Sequence, residues 1–383
     1  MFFKDIIGQK EVKEKLINTV KNERISHAQL FIGPEGSGKL STAIAYAQYI
    51  NCENPQEGDS CGECKSCLKY KKLVHPDLHF VYPVIKTSKI SKPVSIDYIE
   101  KWREFIQSSN YYSFQNWIKY LESEKSQAMI YAEESKEIIR IINLKTFEAK
   151  YKVLIIYLPE LMNINASNKL LKAIEEPPPN TLYILVSENE SKILNTILSR
   201  TQLVKFSRYN DTDIVEYLKT KYPEINQEEI IDIAKISEGN IVYAEKIINE
   251  SSEDKNQLQD NFKLFVEFMK IAYTFDFTNI VSMVNGISGM NREEQKLFLQ
   301  YSLRMFRENF VMNSIKEDNL LHLTKKEKEF SVKFSKIIHQ SNIFALYEEF
   351  NLAHYHITRN ASAKILFMDL ILKTGRLLKM KNK

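Results

Sequence analysis

A glycine-rich segment with one lysine carries the clearest chemical signal in this sequence. Residues 33–40 read Gly-Pro-Glu-Gly-Ser-Gly-Lys-Leu and lie between an apolar, strand-like run and a segment with helical character. Glycines at these positions let backbone N–H groups surround a phosphate, and the lysine reaches the outer phosphates at a helix N-terminus. The alternative, a glycine-rich turn with a surface lysine, is disfavoured by the flanking elements. The predicted phosphate contacts are Gly33, Gly36, Gly38 and Lys39.

The same site lacks the residues that would bind magnesium. A phosphate loop places Ser or Thr directly after the lysine, but here that residue is Leu40, and Ser41 could replace it only by a shift of register. A nucleotide hydrolase also ends its second apolar strand with an Asp and usually a Glu, whereas this chain has Tyr157 and Leu158. Glu160 lies too far along to substitute. ATP or ADP could therefore occupy the loop, but we expect no hydrolysis by this chain.

Four cysteines form the second chemical signal. All four lie within sixteen residues, and their short spacings suit a tetrahedral metal ion better than disulfide bonds in a reducing compartment. Four sulfur ligands leave no open coordination position, so the ion would be structural zinc and would perform no chemistry. An iron–sulfur cluster and free thiols are the alternatives. The predicted ligands are Cys52, Cys61, Cys64 and Cys67.

Length and composition limit the class of protein. A chain of 383 residues can form two or three domains, and its ten glycines and ten prolines favour a helix-rich fold. The net charge of +4 is too small to indicate nucleic-acid binding by itself, so any DNA contact must be local. Neither a signal peptide nor an apolar run long enough to cross a membrane is visible, which predicts a cytoplasmic protein.

The order of apolar runs predicts the domains. Strands separated by helices in residues 1–208 indicate an α/β domain with a parallel, doubly wound sheet, which contains the cysteine module at 52–67 and a helical insertion at about 85–132. Residues 209–250 are predicted to form a small all-α domain. Residues 251–383 are predicted to form a helical bundle that could also provide a subunit interface.

The insertion has two possible uses. Lysines at 86, 89 and 92 precede an aromatic-rich stretch, and such a mixture can bind single-stranded nucleic acid by stacking. We favour the simpler interpretation, a helical pair at roughly 95–107 and 113–122 with its own small core. The aromatic residues are Trp102, Phe105, Tyr111, Tyr112, Phe114, Trp117 and Tyr120.

Several motifs together resemble the subunits of the bacterial clamp-loader AAA+ family. Besides the phosphate loop and the cysteines, they are residues 5–9 (DIIGQ), 24–28 (RISHA), 168–178 (NKLLKAIEEPP) and Ser199-Arg200. The likeness covers nearly the whole chain outside the insertion. It implies an AAA+ fold whose second domain is a lid and whose last domain, 251–383, is an oligomerisation collar. Arg359-Asn360-Ala361, followed by Lys364-Ile365-Leu366, resembles the end of that collar.

The resemblance also implies a role. Members that hydrolyse ATP carry a lid arginine that senses phosphate, and this chain has Val242 there. Together with Leu40 and Tyr157, this fits a non-hydrolysing stator that helps to place a sliding clamp on primed DNA. Its expected partners in a hetero-oligomer are motor subunits of the gamma/tau type, the delta subunit, the clamp and DNA.

In this family the arginine of a Ser-Arg-Cys motif acts as an arginine finger in the neighbouring subunit's ATP site. Here the motif reads Ser199-Arg200-Thr201, so Arg200 is the expected catalytic residue in trans. Alternatively, Arg200 pairs only with a local carboxylate. Two other functions stay open: an active AAA+ ATPase of the motor type, and a DNA-binding module that acts through the insertion.

Overall fold

The computed structural model describes residues 1–121, 128–249, 252–314 and 321–381. Contacts divide the chain into two compact units. The first comprises Met1–Pro223 and Ser237–Tyr243, and the second comprises Glu224–Ile236 and Ala244–Lys383. The division falls inside the segment 209–250, whose assignment as a lid domain stays a prediction.

The first unit contains all five strands that the structure describes. The strands are β1 (Ala28–Ile32), β2 (Leu78–Val81), β3 (Lys152–Tyr157), β4 (Thr181–Ser187) and β5 (Gln202–Lys205). Its helices are α1 (Lys10–Lys21), α2 (Lys39–Ile50), α3 (Lys65–Lys71), α4 (Ile99–Ser108), α5 (Phe114–Tyr120), α6 (Glu134–Asn143), α7 (Ile164–Glu175), α8 (Asn195–Leu198) and α9 (Asp211–Lys221).

The strands form one parallel sheet in the order β2-β3-β4-β1-β5. Every residue of β1, β3 and β4 is buried, as expected for central strands covered on both faces. Because parallel strands end at one edge of the sheet, the loop after Ile32, the end of β3 at Tyr157 and the residue after Ser187 all lie at that edge. The predicted parallel sheet is confirmed.

The insertion folds against the ends of β2 and β3 through a small aromatic core. The ring of Trp102 stacks on Tyr82 with centroids 4.0 Å apart, and Trp117 meets Trp102 edge-on at 5.0 Å. The Trp117 indole N–H also donates to the carbonyl of Pro83 at 2.7 Å. Since Phe105 is only 5% exposed and both tryptophans are fully buried, these aromatic side chains are not available for stacking on nucleic acid.

The second unit is all helical where the structure describes it. An aromatic-rich core holds it together; Phe265, Phe298 and Phe306 are fully buried there. Phe306 meets Phe350 edge-on at 4.9 Å. Its helices are α10 (Gln227–Ile236), most of α11 (Ile241–Asn249), α12 (Ser252–Thr274), α13 (Phe277–Gly289), α14 (Arg292–Ser314), α15 (Lys325–Phe334), α16 (Gln340–Thr358) and α17 (Ala363–Leu378).

Candidate functional site

The glycine-rich loop joins β1 to the N-terminus of α2, as the sequence predicts. Gly36 and Gly38 have φ angles of +73° and +79°, which strongly favour glycine. A Cβ on Gly36 would lie 2.0 Å from Asn240 Oδ1, and one on Gly38 would lie 2.6 Å from the hydroxyl of Tyr209. That hydroxyl donates to the carbonyl of Ser37 at 3.0 Å. The glycines therefore admit close contacts with the chain's own side chains.

Lys39 is buried beside this loop and is bonded within it. Its ammonium group donates to the carbonyl of Pro34 at 2.5 Å and to the hydroxyl of Ser37 at 3.3 Å. Burial lowers the pKa of Lys39 to about 8, although Glu188, Glu160 and Glu35 act in the opposite direction. A phosphate would have to compete with these internal partners.

Glu188 and Glu160 bring negative charge to the same edge of the sheet. Glu188 follows β4 directly, and its backbone N–H donates to Glu160 Oε1 at 3.0 Å. Burial raises the pKa of Glu188 to about 7, while the ammonium of Lys39 counteracts the shift. Although Glu160 lies past the end of β3 in sequence, its carboxylate caps the chain after β4. The environment of Lys39 is therefore acidic.

The positions that would bind magnesium hold buried groups of other kinds. Leu40 and Tyr157 are each 3% exposed. The ring of Tyr157 lies 5.7 Å from Trp102 of the insertion, and burial raises the pKa of its phenol well above the usual range. The hydroxyl of Ser41 donates to the backbone carbonyl of Asn110. The Ser41 hydroxyl is therefore hydrogen-bonded to the insertion, where a magnesium ligand would have to contact the ion.

The four cysteines converge into one group that could hold a metal ion. Their sulfur atoms all lie within 4.8 Å of one another, and the Cys52 and Cys61 sulfurs are 3.5 Å apart. A tetrahedral zinc site places its sulfurs about 3.8 Å apart. Backbone N–H groups of Cys64 and Glu63 lower the pKa of Cys61 to about 6 by hydrogen bonding to its sulfur. The donor set and spacing therefore fit a closed tetrahedral metal site.

Arg200 lies in the turn between α8 and β5, with its side chain 40% exposed. The guanidinium Nε pairs with Glu175 at 2.8 Å, and Nη1 donates to the Thr196 carbonyl and the Ser199 hydroxyl, each at 3.1 Å. Thr201, which replaces the cysteine of the motif, donates its hydroxyl hydrogen to the carbonyl of Ile197 at 3.0 Å. The arginine is thus solvent-accessible and held by partners of the chain itself.

Three contacts of the loop escaped the sequence reasoning. The residues that make these contacts are far from residues 33–41 in sequence and belong to none of the motifs named above: they are Tyr209, Asn240 and Asn110. The Asn240 amide donates to Glu35 at 3.3 Å in addition to lying over Gly36. A possible signal is Gly239-Asn240, since glycine next to a short amide is typical of a close turn. Val242, two residues later, is 6% exposed.

Comparison with known families identifies the chain. A family model described as "DNA polymerase III, delta subunit" matches residues 8–210, more than half of the sequence. The chain belongs to the bacterial clamp-loader AAA+ family. The matched region contains the glycine-rich loop, the four cysteines, the insertion and Arg200.

Its relatives include more than one kind of clamp-loader subunit. The chain is 30% identical to the DNA polymerase III subunit delta prime of Bacillus subtilis over 52% of its own length and 47% of the relative. It is also 30% identical to the subunit tau of that organism, over 56% and 30% of the two lengths. The chain thus spans about half, or less, of these relatives. The two similarities do not separate delta prime from tau.

A solved structure of a gamma-subunit-related protein from Thermotoga maritima covers 95% of this chain and 99% of its own. The sequence identity is 15% and the TM-score is 0.37, which is too low to indicate function. In the part of the chain that the structure describes, no helix is both long and apolar enough to cross a membrane.

Proposed function

We propose that this chain is a delta prime-type subunit of the DNA polymerase III clamp loader, a stator that does not hydrolyse ATP. The observation that supports the proposal most strongly is that the positions expected to bind magnesium hold residues that cannot do so. Leu40 and Tyr157 are buried there, and the Ser41 hydroxyl is bonded to Asn110. Without metal ligands, the charge on a transferring phosphoryl group is not neutralised, so Lys39 alone supports no turnover.

The catalytic contribution of the chain is then made in trans through Arg200. A guanidinium inserted into the ATP site of a neighbouring motor subunit stabilises the charge of the transition state. The solvent exposure of Arg200 supports this role, since its pair with Glu175 is on the surface, where ion pairs are weak and exchange readily. The partners would be gamma/tau-type motor subunits and delta, with the sliding clamp and primed DNA as the substrate of the assembly.

The cysteine group is proposed to hold one structural zinc ion. Four thiolates close the coordination shell, so the ion would fix the segment 52–67 and leave no position for a substrate or water. Cys61 and Cys67 have sulfurs 3.9 Å apart, which supports this geometry.

The second candidate, a motor-type ATPase, would need Ser41 and Glu160 as replacement ligands. Ser41 donates to Asn110, and one oxygen of Glu160 accepts the Glu188 N–H. The third candidate, DNA binding by stacking on the insertion, would need several exposed aromatic rings, but Trp102 and Trp117 are fully buried, although Tyr120 is 36% exposed. These contacts favour the stator over both.

ATP hydrolysis by the isolated chain tests the stator proposal. We expect no magnesium-dependent phosphate release above the level of a Lys39→Ala variant, because Leu40 and Tyr157 stand at the two positions that would bind the metal. Contaminating ATPases are controlled by purifying both proteins in parallel. Magnesium-dependent hydrolysis that the Lys39→Ala variant loses would contradict the proposal and favour the motor-type ATPase.

A further inference from the structure

The turn 109–113 of the insertion lies against the phosphate loop. The carbonyl of Asn110 accepts the hydroxyl of Ser41, two residues after Lys39, and the Asn110 amide donates to the carbonyl of Asp5 at 3.3 Å. The hydroxyl of Tyr111 accepts the backbone N–H of Ile7 at 2.9 Å. The turn therefore joins the N-terminal segment to the beginning of α2.

The ring of Tyr111 fills space beside the loop. It is 2% exposed, and its Cε1 atom lies 3.4 Å from the position of a Cβ on Gly38. The ring meets Tyr209 edge-on at 6.0 Å, and the Tyr209 hydroxyl is itself bonded to the loop carbonyl of Ser37. The Tyr111 ring therefore lies in the space between Gly38 of the loop and Tyr209.

The turn is also held in one conformation by its own serines. The hydroxyl of Ser109 accepts the backbone N–H of Tyr111 at 3.1 Å, and that of Ser113 accepts the N–H of Asn116 at the start of α5. Tyr112 is buried, and its hydroxyl donates to the carbonyl of Ile106 at 2.7 Å. The turn is thus preorganised for these contacts.

We propose that the turn 109–113 fills the space bordered by Gly38, Ser41 and Tyr209, here called the phosphate-loop pocket, and that it does so in place of a nucleotide. The inference rests on the proposed function and extends it, since a stator could lack hydrolysis and still bind nucleotide. A ligand that competes with the turn binds only those molecules in which the pocket is open. Its apparent dissociation constant is therefore the intrinsic constant divided by the open fraction. The retained glycines and Lys39 then serve the packing of the chain.

Binding of a fluorescent ADP analogue, N-methylanthraniloyl-ADP, tests the inference on the full chain. We expect no saturable binding to the wild type up to about 1 mM, and binding at least about tenfold tighter to Tyr111→Ala, because the pocket is then open. A Lys39→Ala change in the Tyr111→Ala background should abolish that binding. The matched control is Tyr120→Ala, since Tyr120 is in the same insertion but 36% exposed, and it should behave as the wild type.

Equal affinity of the wild type and Tyr111→Ala, whether both bind or neither binds, would overturn the inference. Turnover is measured on the same samples. Leu40 and Tyr157 are unchanged in Tyr111→Ala, so binding without hydrolysis is expected. Hydrolysis by the wild type would contradict the proposed function, whereas equal affinity without hydrolysis would contradict only the occupancy of the pocket.

A second variant covers the case in which Tyr111→Ala does not fold. Tyr111→Phe keeps the ring and removes only the oxygen that accepts the Ile7 N–H. Hydrogen exchange of the peptide that contains Ile7 should become roughly five- to tenfold faster, as expected when one buried hydrogen bond is lost. Unchanged exchange at Ile7 would show that the turn does not hold the N-terminal segment against the loop, and would overturn the inference.

Discussion

Lys39 is surrounded by polar groups of the chain itself. In a nucleotide-binding site, the corresponding lysine is free to contact the phosphates of the ligand. The ammonium is bonded to Pro34 and Ser37, and the carboxylates nearby are those of Glu35, Glu160 and Glu188. A motif search finds the lysine and the glycines but cannot find these partners. Individual residues therefore decide whether the glycine-rich loop is active.

Glu188 should make stability depend on pH. Its pKa is raised to about 7 by burial, so its contribution to the free energy of unfolding is largest below pH 4.5 and is lost as the pH rises through 7. We therefore compare the free energy of unfolding of Glu188→Gln with that of the wild type at each pH. This difference should be about 1–2 kcal/mol more favourable to the variant at pH 8 than at pH 4.5, after allowance for partial exposure. Thermal melts at both pH values measure this difference. Glu190→Gln, two residues further on and exposed, is the control, and a Glu188→Gln profile parallel to the wild type would contradict the assignment.

Asp77 should stabilise the segment before β3. Its carboxylate accepts backbone N–H groups of Phe147 at 2.7 Å and of Glu148 and Ala149, each at 2.9 Å. Burial alone would raise the pKa of Asp77, but these three donors outweigh burial and hold the pKa below its usual range. The sequence offers no sign of this role beyond a His-Pro-Asp turn.

Replacement of Asp77 tests that role. Asp77→Asn should lower the free energy of unfolding by about 2 kcal/mol at pH 7, because the amide offers one acceptor oxygen instead of two. The lowered pKa means that the wild-type advantage is present above about pH 4 and is lost as the pH falls through the pKa of the folded state. Denaturant unfolding at pH 7 and pH 3 measures both values. Asp369→Asn, at a 61% exposed carboxylate, serves as the control, and an equally small effect at Asp77 would contradict the prediction.

At the scale of elements, continuous apolar runs made β1, β3 and β4 predictable. The cysteine spacing likewise indicated that four sulfurs converge. The insertion was harder, because its aromatic pattern suits both a core and a stacking surface, and only the packing of Trp102 against Tyr82 and Tyr157 distinguishes them. The contact between Ser41 and Asn110 joins residues 69 apart in sequence, and no local pattern encodes such a pairing. The sequence therefore predicted the motifs of the site but not the distant residues that contact them.

The cysteine module should depend on its metal. Elemental analysis is expected to find about one zinc per chain, and Cys61→Ser should lower both zinc content and melting temperature, because a tetrahedral site has lost one of four ligands. Ser66→Ala, in the same module but outside the ligand set, is the control. Zinc well below one per chain in the wild type, or iron with acid-labile sulfide, would reject the zinc site.

At the scale of the whole molecule, the proposed stator role combines a phosphate loop that does not hydrolyse ATP with an exposed arginine that acts in a neighbouring subunit. The first unit contains both the loop at the carboxyl edge of its sheet and Arg200, which precedes β5 at the opposite edge. A subunit that cannot neutralise phosphate charge in its own loop can still do so in a neighbour's. We therefore expect this chain to affect ATP hydrolysis only within an assembly.

The most direct test is the ATPase rate of a clamp loader reconstituted from this chain with its motor and delta subunits, in the presence of clamp and primed DNA. With Arg200→Ala, we expect turnover at the site next to this chain to fall by about 10³–10⁵, the usual effect of a lost arginine finger. Arg140→Ala is the matched control, because Arg140 is also exposed and paired with a glutamate. Equal assembly of each variant is checked by gel filtration. A rate at that site equal to wild type, in a complex that assembles normally, would contradict the role of Arg200 in trans.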